Sequence, residues 1–176
     1  QTEMVIFNRC SLEMDLNKFR RSVKALNQQA MLAFEDADGN QLELGKEQPP
    51  YDLNAEIIDV EDTDYGLLFL DMSDTPERYD GKTIRFRGKV MIPRRFPDNC
   101  FIPGRNAMTC CANDIRFIGY ICKSKNVAKL KQKQWVEVTA QVKYEYAKEY
   151  GGEGPILYAK HLKAVGPPQE DLVYFN

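Results

Sequence analysis

Histidine is almost missing from this sequence: the only one, His161, lies in a stretch typical of an ordinary strand. No serine or cysteine pattern offers it a partner for nucleophilic catalysis. The glycine-rich turn at 150–155 lacks the Lys-Ser/Thr pair that a phosphate-binding loop requires. Asp62 and Asp64 fall in a predicted turn, where both carboxylates are expected to be solvated. We therefore expect a protein that is not an enzyme.

Cysteine is sparse, and its spacing excludes the common cysteine-built sites. Five cysteines in 176 residues are too few for a disulfide scaffold, and they contain no C-x-x-C motif. With a single histidine and no Cys/His cluster, a closed tetrahedral zinc site is disfavoured, although four thiolates could form one. No cofactor is expected, and a soft metal such as zinc is the only candidate. The cysteines are Cys10, Cys100, Cys110, Cys111 and Cys122.

Long apolar runs are also missing. No segment approaches the roughly 18 apolar residues of a membrane span, and no secretory signal is present. The chain is therefore expected to be soluble by itself. It begins at Gln1 and not at a methionine, which indicates that an upstream segment was removed, and a membrane anchor could belong to that segment.

The formal net charge is only −2, yet the two signs are unevenly distributed. Residues 1–78 contain 7 Lys/Arg and 17 Asp/Glu, whereas residues 79–165 contain 17 and 7. This asymmetry predicts two units, an acidic α+β unit at 1–75 and a second domain at 76–176. A basic half can indicate nucleic acid or anionic lipid as a partner. The simpler interpretation, which we favour, is that the halves pack against each other or solubilise the chain.

Local patterns in the acidic unit predict one helix and several short strands. Asp15 suits the N-cap of a helix whose apolar residues recur at spacings of three and four. Segments 30–34 and 41–44 flank an acidic turn, as the strands of a hairpin do. Segments 55–60 and 65–72 are predicted to be two more strands. The apolar helix positions are Leu16, Phe19, Val23, Leu26 and Ala30.

The second domain shows the clearest periodicity. In residues 83–90, apolar side chains alternate with basic ones, which predicts a strand with one buried and one basic face. A short basic helix is predicted at 126–132, between the third and fourth strands. This order is typical of an OB-fold, a five-stranded Greek-key barrel. The predicted fold class is mainly β with minor α. The remaining barrel strands are expected at 106–112, 115–122, 135–142 and 156–165.

The most distinctive element is Cys110-Cys111-Ala-Asn-Asp114, which begins inside the second predicted barrel strand. Neighbouring residues of a strand point to opposite faces, so the two adjacent thiols cannot share one environment. Free cysteine is among the most buried residue types, which favours a packing role for one of them.

Three interpretations of this element stay open. In the first interpretation the thiols are structural: they pack in the core, or one of them forms a disulfide with Cys122. In the second they contribute to a ligand or soft-metal site. In the third interpretation one thiol is redox-active because Arg105 or Arg116 lowers its pKa. The ligand or metal candidates are Cys110, Cys111, Asp114 and Cys122.

Basic residues lie in and around the first three predicted barrel strands, near the usual ligand face of an OB-fold. Together with aromatic residues they would suggest single-stranded nucleic acid as a ligand. Alternation, however, places Phe117 on the face opposite Arg116, and the acidic unit would repel phosphates. Nucleic acid is therefore the less favoured partner. The basic candidates are Arg85, Arg87, Lys89, Arg105 and Arg116, with Arg94 and Arg95 near them in the chain, and the aromatic ones are Phe96, Phe101, Phe117 and Tyr120.

Several short motifs in the last 95 or so residues resemble one known family. The Cys-Cys-x-x-Asp element is the specific one, and it is accompanied by Arg105, Gly119, Tyr174 and three short segments. These segments are Tyr79-Asp-Gly-Lys82, Gly88-Lys-Val90 and Trp135-Val-Glu-Val-Thr139. On these residues the chain resembles the C-terminal domain of the YcgQ-like family of permease subunits.

The resemblance implies a membrane-associated protein with transmembrane helices ahead of this domain and a permease as its partner. This chain departs from the pattern because it has no such helices, residues 1–75 have no counterpart, and Ile115 replaces a small residue. We expect a non-enzymatic, extracytoplasmic bacterial module that binds a permease-like protein or a small ligand. The alternatives are a single-stranded nucleic-acid binder and a thiol-based metal or redox site.

Overall fold

The computed structural model describes residues 3–109 and 111–175, which contain two α-helices and ten strands. The helices are α1 (Leu16–Leu26) and α2 (Tyr65–Asp74). Neither has the length and apolar content needed to cross a bilayer. The strands are β1 (Met4–Phe7), β2 (Met31–Phe34), β3 (Ile57–Asp59), β4 (Thr83–Met91), β5 (Cys100–Ala107), β6 (Arg116–Gly119), β7 (Ile121–Lys123), β8 (Trp135–Ala147), β9 (Gly152–Ala164) and β10 (Leu172–Val173).

The described chain divides into two compact units, residues 3–48 with Phe175 and residues 49–174. The sequence places this boundary near residue 75. The structure moves it upstream because β3 pairs with β4 along Ile57–Asp59, and because α2 packs on the barrel. Residues 49–75 therefore belong to the second unit. They carry much of the acidic charge that the sequence analysis assigns to the first unit.

The first unit is a β1–α1–β2 arrangement in which the two strands pair in parallel. As predicted, the Asp15 side chain caps α1 by accepting a hydrogen bond from the Lys18 backbone N–H at 3.1 Å. Leu16 packs with Cys10 and Phe34 in a small core. Residues 41–44 do not form the predicted hairpin strand, and only one bridge, Glu35 to Gln41, joins the two segments.

The second unit contains the predicted barrel. Strands β4, β5, β7, β9 and β8 close on themselves, because β4 pairs with both β5 and β8. The pairs are antiparallel except for β7 with β9, which is parallel. The short strands β3 and β10 extend the sheet in parallel along β4 and β5. The fold class is confirmed: a mainly β chain with a closed, OB-like five-stranded barrel.

Residues 65–72 form most of helix α2, so the predicted strand at this place is wrong. Alternation could not reveal the helix, because Tyr65, Leu68, Leu70 and Met72 are all buried. Tyr65, Leu68 and Met72 line a small cavity with residues of β4 and β9. The expected helix at 126–132 is only a single 3₁₀ turn, Val127–Lys129. The helix that packs on the barrel thus precedes the first barrel strand.

The second barrel strand is β5, Cys100–Ala107, six residues upstream of its predicted start. Pro103 does not prevent it, and pairs with Val90 of β4. Gly119 faces β5 so closely that a Cβ there would lie 2.7 Å from Ile102 Cγ2. Proline cannot donate to a strand ladder and so disfavours a strand here, but tertiary pairing overrides that local preference.

Candidate functional site

Cys111 lies outside the strands, which corrects the placement of the Cys-Cys element within a strand. It is exposed and occupies the N-cap of a 3₁₀ turn, Ala112–Asp114. Cys110 lies outside the described residues. The argument that adjacent thiols point to opposite faces of a strand therefore does not apply to Cys111.

Asp114 organises the loop that follows β5. Its carboxylate accepts hydrogen bonds from the backbone N–H of Thr109 at 2.9 Å and of Cys111 at 3.3 Å. In return, the Cys111 side chain accepts from the Asp114 backbone N–H, which completes a capping box. The Cys-x-x-Asp spacing is thus explained by local geometry: it closes an exposed turn, which we call the motif loop (residues 108, 109 and 111–115).

Cys122, the third thiol proposed for this site, lies elsewhere. It is buried in β7 opposite Phe101, whereas the motif loop follows Ala107 at the other end of β5. Ala107 lies six positions beyond Phe101 along the strand, which is about 20 Å at about 3.3 Å per residue. The structure therefore does not bring Cys111 and Cys122 together.

The buried thiol is also poorly suited to redox chemistry. Burial raises the pKa of Cys122 well above its ordinary value, and the neighbouring Cys100 adds to this shift. A thiolate is the reactive form, so a raised pKa suppresses reactivity. Among residues 3–109 and 111–175, no three His, Cys, Asp or Glu side chains are grouped so that they could hold a metal ion.

The basic face of β4 is covered by intramolecular ion pairs. Arg85 donates to both oxygens of Asp59, at 3.1 and 2.5 Å, and this contact lowers the pKa of Asp59. Lys89 donates to Asp171 at 2.6 Å. Arg87 lies 3.7 Å from the Asp62 carboxylate. The carboxylates come from the acidic segment before β4 and from the C-terminal tail, which supports the simpler interpretation of the charge asymmetry within this unit.

Arg105, also predicted on the basic face, is completely buried. It donates to the Asp62 carboxylate at 2.9 Å and to the Glu170 carbonyl oxygen at 2.6 Å. Its guanidinium carbon lies 5.1 Å from the centre of the Trp135 ring. Burial lowers the pKa of Arg105, while Asp62 opposes that shift. The residue therefore fastens the tail to β5 and is not available to a ligand.

The C-terminal tail is the feature that sequence reasoning missed. Leu172 and Val173 pair in parallel with Asn106 and Ala107 of β5, and the Val173 carbonyl accepts from Met108 N–H at 3.1 Å. The tail thus lies directly beside the motif loop. The acidic Glu170-Asp171 pair, following a basic half, was the only signal in the sequence that could have indicated this contact.

The aromatic candidates do not form a stacking surface. Phe101 and Tyr120 are buried, and the Tyr120 hydroxyl donates to the Phe69 carbonyl oxygen at 2.5 Å. Phe117 and Phe96 are half-buried, and Phe96 packs against a cluster that contains Cys100. Of the five basic candidates, only Arg116, at the start of β6 beside the motif loop, is largely exposed.

Comparison with known proteins gives one family and several distant structures. Residues 35–175 match the model of the DUF1980 C-terminal domain, so the similarity begins well upstream of Tyr79 and includes residues that the sequence left without a counterpart. No curated protein matches the chain.

Parts of this chain are similar to parts of three solved aminoacyl-tRNA synthetase structures. A "putative aspartyl-tRNA synthetase" from Leishmania major Friedlin is 13% identical over 63% of this chain and 21% of its own, with a TM-score of 0.37. The asparaginyl-tRNA synthetase of Entamoeba histolytica is 15% identical, with coverages of 52% and 22% and a TM-score of 0.31. The aspartyl-tRNA synthetase of Entamoeba histolytica is 11% identical, with coverages of 51% and 20% and a TM-score of 0.31. The chain spans about a fifth of the length of these proteins.

Proposed function

Since the chain belongs to the DUF1980 C-terminal domain family, we propose that it is a non-enzymatic binding module of a membrane-associated protein and an accessory subunit of a permease. The permease enters this proposal through the resemblance of the Cys-Cys-x-x-Asp element to permease subunits. On this proposal the module lies outside the cytoplasm of a bacterial cell. It contacts a permease-like protein, or a small ligand, through the motif loop.

The exposed, preorganised motif loop is the observation that carries the proposal. Asp114 fixes two backbone N–H groups of the loop, so its shape is defined before any partner binds. A loop already held in one conformation loses less conformational entropy on binding. Cys111, Asn113 and Ile115 are exposed on it and can contact a partner directly.

The charge pattern of strands β4 and β5 supports a protein partner over single-stranded nucleic acid at this face. Arg85, Lys89 and Arg105 are each paired with a carboxylate, so phosphates would have to displace those carboxylates. Nucleic-acid grooves of this type also use exposed aromatic rings, and the described candidates here are buried or half-buried.

Copurification tests the proposal. The natural full-length gene is expressed with an affinity tag, and membrane proteins that copurify in mild detergent are identified. We expect a permease-like membrane protein, and we expect Asp114→Ala to reduce its yield because the loop loses its fixed shape. Asp36→Ala is the matched control, since Asp36 likewise holds a turn through the backbone N–H groups of Asp38 and Asn40.

The outcomes separate the alternatives. If the full-length product does not associate with membranes at all, the proposed location is wrong. If both variants copurify the partner as well as the wild type does, the motif loop is not the contact site.

A further inference from the structure

Two loops meet at one end of the barrel and carry an unusual amount of positive charge. Residues 92–99 connect β4 to β5, and residues 124–134 connect β7 to β8. The Gln132 side chain accepts from Ile92 N–H at 2.7 Å, and the Asn99 carbonyl accepts from Ser124 N–H at 2.9 Å. These bonds hold the two loops side by side.

Together the loops contain six cations and one carboxylate, that of Asp98. All six cationic side chains are exposed, and no ion pair to any of them is found within the described ranges. The cations Arg85 and Lys89 of β4, in contrast, are each paired with a carboxylate. We call this surface the cationic end. Its residues are Arg94, Arg95, Lys125, Lys129, Lys131 and Lys133.

We infer that the cationic end docks the domain on an anionic lipid surface. Clustered lysines and arginines are attracted to acidic headgroups, by about 1 kcal/mol for each residue near the surface. The cluster is strongly basic although the chain has a net charge of −2, so the attraction is local and orients the domain. This inference deepens the proposed membrane association and rests on it.

Lipid fits this surface better than nucleic acid does. Phe96 is the only aromatic residue in the two loops, and it packs against the cluster around Cys100 and Ile121. Binding of single strands relies on aromatic rings that stack with bases, in addition to charge. An anionic bilayer needs no stacking partner, and exposed loops at the end of a barrel can meet a flat surface.

Cosedimentation of the full chain with vesicles tests the inference. One set of vesicles is pure phosphatidylcholine, and the other contains a minority of phosphatidylglycerol. We expect binding only to the second set, and only at low salt. Binding should be lost at high salt because the Debye length falls from about 30 Å at 0.01 M to about 3 Å at 1 M, which screens exposed charges.

A pair of matched variants locates the contact. K125Q/K129Q/K131Q removes three charges from the cationic end, and we expect roughly a hundredfold weaker binding, since each lysine contributes about a fivefold effect. K18Q/K143Q/K148Q removes three exposed lysines elsewhere and should bind almost as well as the wild type. All six lysines are exposed, so neither triple variant opens the core, although K143Q removes a contact of Lys143 with the Tyr158 ring, whose centre is 5.1 Å away.

Three results would overturn the inference: no binding to phosphatidylglycerol vesicles at low salt, equal weakening by both triple variants, or tighter binding of a labelled single strand that the first triple variant abolishes. The last result would make nucleic acid the partner of this surface. Vesicle binding requires no permease, so its failure is distinguishable from a failed copurification.

Discussion

At the scale of single residues, the partners of a cation decide whether it lies on the surface or in the interior. Arg85 and Arg105 look alike in the sequence, since both are candidates for the basic face, one within a predicted barrel strand and the other directly before the next. Arg85 makes an exposed pair with Asp59, whereas Arg105 is fully buried among Asp62, Trp135 and tail carbonyl groups. Sequence periodicity cannot reveal this difference, because the hydrogen-bond partners of Arg105 lie 43 to 66 positions away.

These two arginines should differ sharply in their effect on stability. Arg105→Ala leaves carbonyl oxygens of the tail without a donor and removes a fully buried side chain, while Asp62 keeps Arg87 nearby, and should cost about 2–4 kcal/mol of unfolding free energy. Arg85→Ala should cost less than about 1 kcal/mol, as is usual for exposed pairs. Urea denaturation of both variants measures the difference, and equal costs would contradict the role given to Arg105.

The thiols provide a second prediction at this scale. Cys111 is exposed, while Cys10, Cys100 and Cys122 are buried, so a thiol reagent should reach Cys111 in the folded protein. Cys111→Ser should remove one equivalent of fast reaction, and Cys122→Ser should remove none, as measured by timed labelling. Fast labelling of Cys122 in the native protein would contradict its burial. Elemental analysis of the same sample tests for bound metal.

At the scale of elements, alternation was a good guide only where one face of the strand is buried. In β4, Ile84, Phe86 and Val90 are buried while Arg85 and Lys89 face solvent or an ion pair, and the predicted strand is confirmed. Helix α2 is buried around most of its circumference, so its apolar run has no period to read.

Helix α2 should matter for stability because it packs on the barrel. Leu68 is 1% exposed, and Leu68→Ala should cost about 2–5 kcal/mol through lost burial and a residual cavity. Leu12, which is 75% exposed, is the control, and Leu12→Ala should change stability by no more than about 0.5 kcal/mol. Denaturation followed by circular dichroism gives both values. A neutral Leu68→Ala would show that α2 is dispensable to the barrel.

At the scale of the whole molecule, the sequence predicts the barrel and the order of its strands but misplaces the boundary between units. The charge contrast suggested a break near residue 75, whereas acidic residues such as Asp59 and Asp62 belong to the barrel unit and pair with its cations. The distribution of charge along the sequence shows where acidic and basic residues occur. It does not report which charges fold together.

The motif loop was recognised from its residues, but its structure was not. Two adjacent cysteines suggested a strand, and Asp114 suggested a ligand. The carboxylate instead holds the backbone of a turn, which leaves Cys111 and Asn113 exposed beside the tail strand β10. The account therefore depends on the loop as a contact surface more than on the thiols as a chemical site.

Site-specific photo-crosslinking tests this claim most directly. A photoreactive amino acid is placed at Asn113 in the full-length gene product, and at Asp38, which is exposed on the other unit, as the control. We predict a crosslink from position 113 to a permease-like membrane protein and none from position 38. Crosslinking from position 38 alone, or from neither position in cells that contain the partner, would contradict the proposed role of the motif loop.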